Sequence, residues 1–428
     1  MRPELYNRIK NMISQVEPGS LIIIDGASMT LRNRDVEYRF YQTSAFFYLT
    51  EWLAPNARLL IDIKDRDVES ILFYEEVDPE KQKWIGICPS YDAIVSKGHA
   101  TTVYTLDRYE QIFQERLAAT QHVYFEFSDA EKYQSRINHS LKQMMNQRVH
   151  RESPGMHDLD TLLGRLRLEK SDYEIERMRH AASISAKGHI DLMEKAKSGL
   201  FEYQLGAEFE RFCRYHGCDH LAYESIIASG KNACILHYTQ CQDQLHDNDM
   251  VLIDAGGEYA GYAADITRSF PVSGRFTAAQ KDIYEVVLAA QTAVIKAIKP
   301  GLEFKSLQTI AREALFDGLK GLGIMKKWRM EQLQHFYFHG VSHWLGLDVH
   351  DGCPYLSETG QSIKLAPGMT LTVEPGLYFS SHLDELSPEF HHLGIRIEDD
   401  ILVTQDGAEI LTIECPKTIN AIEEVMLS

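Results

Sequence analysis

Nothing in the 428-residue sequence approaches the roughly 20 consecutive apolar residues that a membrane-spanning helix needs. Its first residues, MRPELYNRIKNMISQ, lack the apolar stretch of a secretory signal, so neither a membrane nor an export route is indicated and a cytoplasmic protein is expected. Basic residues are in deficit, with 44 Lys and Arg against 62 Asp and Glu and a net charge of −18. That balance argues against nucleic acid or an anionic membrane surface as partner and serves solubility instead. The seven cysteines, Cys88, Cys213, Cys218, Cys234, Cys241, Cys353 and Cys415, are odd in number and contain no CxxC pair. A disulfide framework is thereby excluded and reduced, buried thiols are expected. Cys213 and Cys218 would supply half a zinc site, with no second pair near.

What is present divides into two textures. From residue 20 to about 127, short β-rich runs (LIIID, RLLIDI, SILFYE, HVYFEF) alternate with helical stretches, the pattern of an α/β domain. Beyond RESPGMHDLDTLLGRLRLEK the chain turns helical. Ser171 with Glu174, and Thr277 with Gln280, form capping boxes ahead of amphipathic runs, and Gly199 and Pro300-Gly301 are placed to end them. A chain of this length exceeds one ordinary core, so two domains are expected, residues 1–165 and 166–428.

The second domain carries an internal echo. KSGLFEYQLGAEFERF from Lys197 and KPGLEFKSLQTIAREAL from Lys299 share a Gly-Leu pair with a later Leu, and each leads to a β-rich stretch centred on an acid, VLIDAG at Asp254 and LTVEPG at Glu374. Each stretch returns with a second acid, Asp265 in YAADITRSF and Glu398 in GIRIEDDI. Folding the halves together would bring four carboxylates to one place, where they repel and lose hydration unless they are protonated or meet cations. A pair of divalent metals resolves this. The second half also offers His339, His343 and His350 in FHGVSHWLGLDVHDG, a stretch too rich in glycine for a long helix and suited to lining a cavity.

The order Asp254, Asp265, His343, Glu374, Glu398, in LIDAGGEYAGYAADITR, HGVSHWLGLDVHD, LTVEPGLY and GIRIEDD, closely resembles the proline-directed metallopeptidases of the pita-bread fold, and among them the aminopeptidase P family. The resemblance covers roughly residues 20 to 428. It implies an α/β N-terminal domain joined to an α+β pita-bread catalytic domain with an internal pseudo-two-fold repeat. It implies a metal-dependent aminopeptidase that hydrolyses the Xaa-Pro bond at the N-terminus of peptides through a bridging hydroxide on a dinuclear centre. Asp254 and Asp265 would ligate one metal, Asp265 and Glu398 would bridge both, and His343 and Glu374 would complete the other. Carboxylates with one imidazole favour Mn²⁺, with Co²⁺ and Zn²⁺ as substitutes. Glu374 would shuttle the proton, His350 and His339 would hold the carbonyl and oxyanion, His237 would line the prolyl side, and Arg396 would pair with a ligand carboxylate or orient substrate. Tyr223, Tyr378 and Trp84 would contact substrate, Trp84 from the N-terminal domain of a neighbour in a homodimer or homotetramer.

The rival readings are a methionine aminopeptidase, which lacks the large N-terminal domain, a prolidase confined to Xaa-Pro dipeptides, and a metal-free pita-bread binding module. The chain leaves the family pattern at Ala45, where an acid is usual, at Glu51-Trp52 in place of glycine, and around Thr359, Gly360 and Gln361, where an arginine is missing. A remodelled outer cleft with a different preference for peptide length is expected.

Overall fold

Leu21–Ile24 is apolar at every position, so a strand there must be covered on both faces. The computed structural model of the chain describes every residue except 65–66, 86–90, 147–151, 325–328 and 381–385; Cys88 thus lies outside the described residues. It divides into two compact units, Met1–Leu166 and Arg167–Ser428. In the first, strands Ser20–Asp25 (β1), Arg58–Lys64 (β2), Asp67–Tyr74 (β3), Thr102–Thr105 (β4), His122–Phe125 (β5) and Gly155–Asp158 (β6) form one mixed sheet in the order β4-β3-β2-β1-β5-β6. β1 lies antiparallel to β2, Ser20 facing Ile63, and parallel to β5. One face packs Leu21, Ile23, Leu60 and Phe73 against Phe113 of helix Tyr109–Ala119 (α1) and Ile137 of helix Ala130–Asn146 (α2).

Asp25 ends β1 in a buried position. Burial pushes its carboxyl up, but Arg136, Lys132 and Arg58 at 2.6, 3.2 and 3.7 Å hold it below the usual carboxylate range. Trp84 stands 88% exposed on the helix Pro79–Ile85, outside the core. Ala45 is buried in the helix Ser44–Thr50, which Glu51 closes at φ +49. That left-handed conformation suits glycine better, and Glu51 is held in it by Arg2 at 2.7 Å and Arg8 at 3.5 Å.

In the second unit both capping boxes form. Ser171 N donates to Glu174 Oε2 at 3.0 Å ahead of helix Asp172–Lys195 (α3). Helix Glu202–Tyr215 (α4) follows, then helix Ala278–Ala297 (α5), where Thr277 N donates to Gln280 Oε1 at 2.9 Å, and helix Phe304–Gly321 (α6). α3 stops before Gly199: Ala196 is already extended, and Gly199 instead turns the chain at φ +93.

That turn is one of two. Gly199 N donates to Leu245 O at 2.9 Å and Leu245 N to Leu200 O at 2.8 Å; Gly301, at φ +89, donates to Leu365 O at 2.8 Å and Leu365 N to Leu302 O at 2.8 Å. Strand Met250–Asp254 then follows Leu245 as strand Thr370–Val373 follows Leu365. The echo in the sequence is thus a pseudo-two-fold repeat of backbone hydrogen bonds. Strands Ile226–Ser229 (β7), Met250–Asp254 (β8) and Thr267–Pro271 (β9) form an antiparallel sheet in the first half; in the second, Thr370–Val373 (β10) pairs with Asp399–Val403 (β13), and Gly376–Phe379 (β11) with Leu393–Arg396 (β12). The six described cysteines are free thiols, Cys213 and Cys218 among the buried ones. Among the described residues no helix is long and apolar enough to cross a membrane.

Candidate active site

Asp254 is the last residue of the buried strand β8. A side chain on Gly256 would lie 1.7 Å from the Ala264 carbonyl oxygen, so only glycine lets the return strand approach. Ala255 N donates to Ile266 O at 3.0 Å, and the hairpin sets Asp265 beside Asp254. Tyr223 Oη reaches both carboxylates, Asp254 Oδ1 at 2.5 Å. From the second half, His343 Nε2 stands 3.4 Å from Asp265 and 3.8 Å from Glu374. Its Nδ1 donates to Trp344 O at 3.1 Å, which leaves Nε2 aimed at the acids.

Burial pushes Asp265 up with Asp254 adding to the effect, lifts Glu374 to about 7, and drives Glu398 far above the usual range with Asp265 and Glu374 contributing. Burial works against the charged form of His343, yet its hydrogen bond to Asp265 and the nearby Glu374 raise it to about 9. Four acids thus crowd against one imidazole and one guanidinium. Ligand atoms of Asp265, His343 and Glu398 lie within 4.8 Å of one another. An excess of carboxylate oxygens with one oriented imidazole is the donor set of a hard or borderline divalent cation, and these residues fit one.

Arg396, the last residue of β12, is fully engaged: Nη2 donates to Asp254 Oδ2 at 2.6 Å, Nε to Thr267 Oγ1 at 3.1 Å and Nη1 to Tyr378 Oη at 3.0 Å. Tyr378 Oη in turn donates to His339 Nε2 at 2.9 Å, while His339 Nδ1 donates to Gly340 O at 2.7 Å. Burial, with Arg396 beside it, lowers His339 to about 4, so it is neutral with both nitrogens occupied. His350 is different. It lies open to the cleft, its ring 4.4 Å from that of His343, and among the described residues no hydrogen bond holds it. Burial and then His343 lower it below the ordinary histidine value. These groups, with Leu236 and His237, line a cavity of about 300 Å³.

The structure therefore brings together Asp254, Asp265, His343, Glu374, Glu398, His339, His350, His237, Arg396, Tyr223 and Tyr378. Trp84 belongs to the other compact unit. Some contributors escaped the sequence reading. Thr267 Oγ1 donates to Glu398 Oε2 at 2.7 Å, and its place on the Asp265 face of the strand was a usable signal. Asp400 Oδ2 accepts from Asp265 N at 3.1 Å. Asp351 anchors the histidine loop through Lys170 at 3.0 Å and Arg167; burial would push its carboxyl up, but both cations hold it below the usual range. Gly346 makes room for it, since a side chain there would lie 2.3 Å from Asp351 Oδ2.

Known proteins resemble the chain over nearly its whole length. Metallopeptidase family M24 matches residues 176–405, and the aminopeptidase P N-terminal domain matches residues 5–124. The Xaa-Pro aminopeptidase of Escherichia coli (strain K12) is 37% identical over 435 residues, covering 100% of this chain and 98% of the relative. Xaa-Pro aminopeptidase 3 of Homo sapiens is 32% identical, covering 95% and 80%. The solved structure of Pseudomonas aeruginosa aminopeptidase PepP superposes with a TM-score of 0.94 at 37% identity, covering 99% of this chain and 97% of that one.

Proposed function

The chain belongs to metallopeptidase family M24, and from that premise we propose that it is an aminopeptidase that hydrolyses the bond between an N-terminal residue and a following proline. The observation that carries this reading is the meeting of Asp265, His343 and Glu398 in one cluster beside Glu374 and the open His350. Two divalent ions, Mn²⁺ before Co²⁺ or Zn²⁺, held as the ligand order predicts, would supply an acidified water and a Lewis acid for the scissile carbonyl.

The chain's own residues do the rest. Glu374, in the acid cluster lining the cleft, takes the proton of the attacking water and returns it to the prolyl nitrogen, which cannot leave as an anion. His350, unheld in the cleft, meets the carbonyl oxygen as negative charge develops there. His339, with both nitrogens occupied, acts by orienting Tyr378, and Arg396 holds Asp254 in place. His237 and Leu236 form the wall that receives the proline ring. Trp84, in the N-terminal domain of residues 1–165, would be offered to a neighbouring subunit in a homodimer or homotetramer of the cytoplasm. Ala45 is buried, and Gly360 turns at φ +76, where an arginine would be strained.

The deciding measurement is turnover of Xaa-Pro, Xaa-Pro-Yaa and longer peptides in Mn²⁺. Efficient release of the first residue from the longer peptides is expected. Cleavage confined to the dipeptide would make the protein a prolidase, and no bound metal with no turnover would make it a binding module.

A further inference from the structure

The first half of the repeat buries a carboxylate that the reaction does not use. Glu202, fully buried in the first turn of α4, accepts five hydrogen bonds. Oε1 takes them from Ser229 N at 2.7 Å, Ser229 Oγ at 2.8 Å and Asn232 Nδ2 at 3.0 Å; Oε2 takes them from Tyr238 Oη at 2.8 Å and Asp243 N at 3.0 Å. No cation is among the donors, so this acid is kept by hydrogen bonds alone, each strengthened by a charged acceptor. All five come from one segment, 229–243, and that segment presents Leu236 and His237 to the cleft.

The His237 ring has, among the described residues, no hydrogen bond of its own. Its position follows from the backbone around it, and Glu202 gathers that backbone. From the other side the segment rides directly on β12: a side chain at Gly394 would lie 2.1 Å from Ala233 O. Tyr238 meanwhile packs with Ile226, Leu252 and Tyr378 in a small apolar cluster.

The architecture itself does not require an acid here. Glu202 N donates to Asp243 O at 3.0 Å, and in the other half Phe304 N donates to Ile363 O at 2.8 Å, each just after the equivalent Gly-Leu turn. Phe304 fills the twin position with a ring 4.5 Å from that of Trp344 and 5.1 Å from that of Tyr355. Packing suffices to start that helix, so the carboxylate answers to the segment and not to the helix.

We propose that Glu202 is a positioning residue that holds the His237 wall at the separation from the metal-binding acids at which the cleft accepts a proline ring, and so sets proline selectivity instead of the rate of bond cleavage. This rests on the Xaa-Pro reading above.

The test compares the full-length wild type, E202Q and Y238F, each loaded with Mn²⁺, on an Xaa-Pro-Yaa peptide and its Xaa-Ala-Yaa counterpart. KM and kcat are read separately, with inhibition constants for any peptide that is bound and not cleaved, and metal content and circular dichroism as controls. One hydrogen bond to a charged acceptor corresponds to roughly tenfold in affinity. The expected result is a rise in KM for the proline peptide of about tenfold in E202Q and about threefold in Y238F, with kcat within about threefold and the alanine peptide hardly affected. A proline-to-alanine ratio equal to wild type in both variants would overturn the proposal, as would an equal fall in kcat on both peptides. Should E202Q fail to fold, Y238F, which loses one hydroxyl, decides by the same ratio. Wild type inactive on every Xaa-Pro peptide would instead overturn the functional reading, and the ratio of inhibition constants would still report on the wall.

Discussion

The two halves of the catalytic unit share a backbone and divide the chemistry unequally. Both turn at a glycine near φ +90, both clasp a leucine with paired hydrogen bonds, and both set an acid at the end of a buried strand, Asp254 as its last residue and Glu374 as the residue after it. The first half adds Tyr223 and the His237 segment tied to neutral donors around Glu202. The second adds His339, His343, His350 and Arg396, with its histidine loop tied by ions, Asp351 to Lys170 and Arg167. A duplicated scaffold can thus supply symmetric carboxylates, while the asymmetric groups a directed hydrolysis needs come from what each half hangs on it.

The hardest break removes an acid at the centre. Glu374→Gln keeps the shape and loses both the charge and the proton acceptor, so turnover should vanish with the fold intact; more than a tenth of wild-type activity with metal bound would end the assignment. Next comes His350→Ala. A positioned oxyanion donor contributes about two to four orders of magnitude, and a loss under about threefold would make this histidine structural.

Asp351→Asn attacks the ionic tie of the second half. It leaves buried Lys170 without its carboxylate and Arg167 with Asp348 as its remaining acid, at a cost of about 3–5 kcal/mol, read by denaturant unfolding. The pH dependence carries a definite sign. The folded Asp351 lies below its ordinary value, so its contribution is fully present above the unfolded carboxylate value of about 4 and is lost as pH falls through it toward the folded one. The gap between wild type and variant should therefore be constant from pH 7 to 5 and narrow below about 4. A gap that widens in acid would contradict the ionic tie.

The mildest change is Phe304→Leu at the twin of Glu202. Partial loss of contact with Trp344 and Tyr355 should cost about 1 kcal/mol and leave kcat/KM within about threefold. A change in proline selectivity here would erase the distinction between the halves.

The acids at Asp254, Asp265, Glu374 and Glu398, the histidine run and both capping boxes were legible in the sequence because they are local patterns of residue type and spacing. The Gly-Leu echo was legible for the same reason, although only the hydrogen bonds of Leu245 and Leu365 make it a repeat of structure. Tertiary structure alone decided what the polar side chains do once buried. Nothing local distinguishes Glu202 from a solvated acid in the first turn of a helix, or shows that Thr267 serves Glu398, that Asp351 holds the histidine loop, or that His339 has both nitrogens occupied. Those roles depend on partners far away in the chain. A hydrogen bond or an ion pair acts over about 3–4 Å of space, and sequence separation carries no information at that range until the chain has folded.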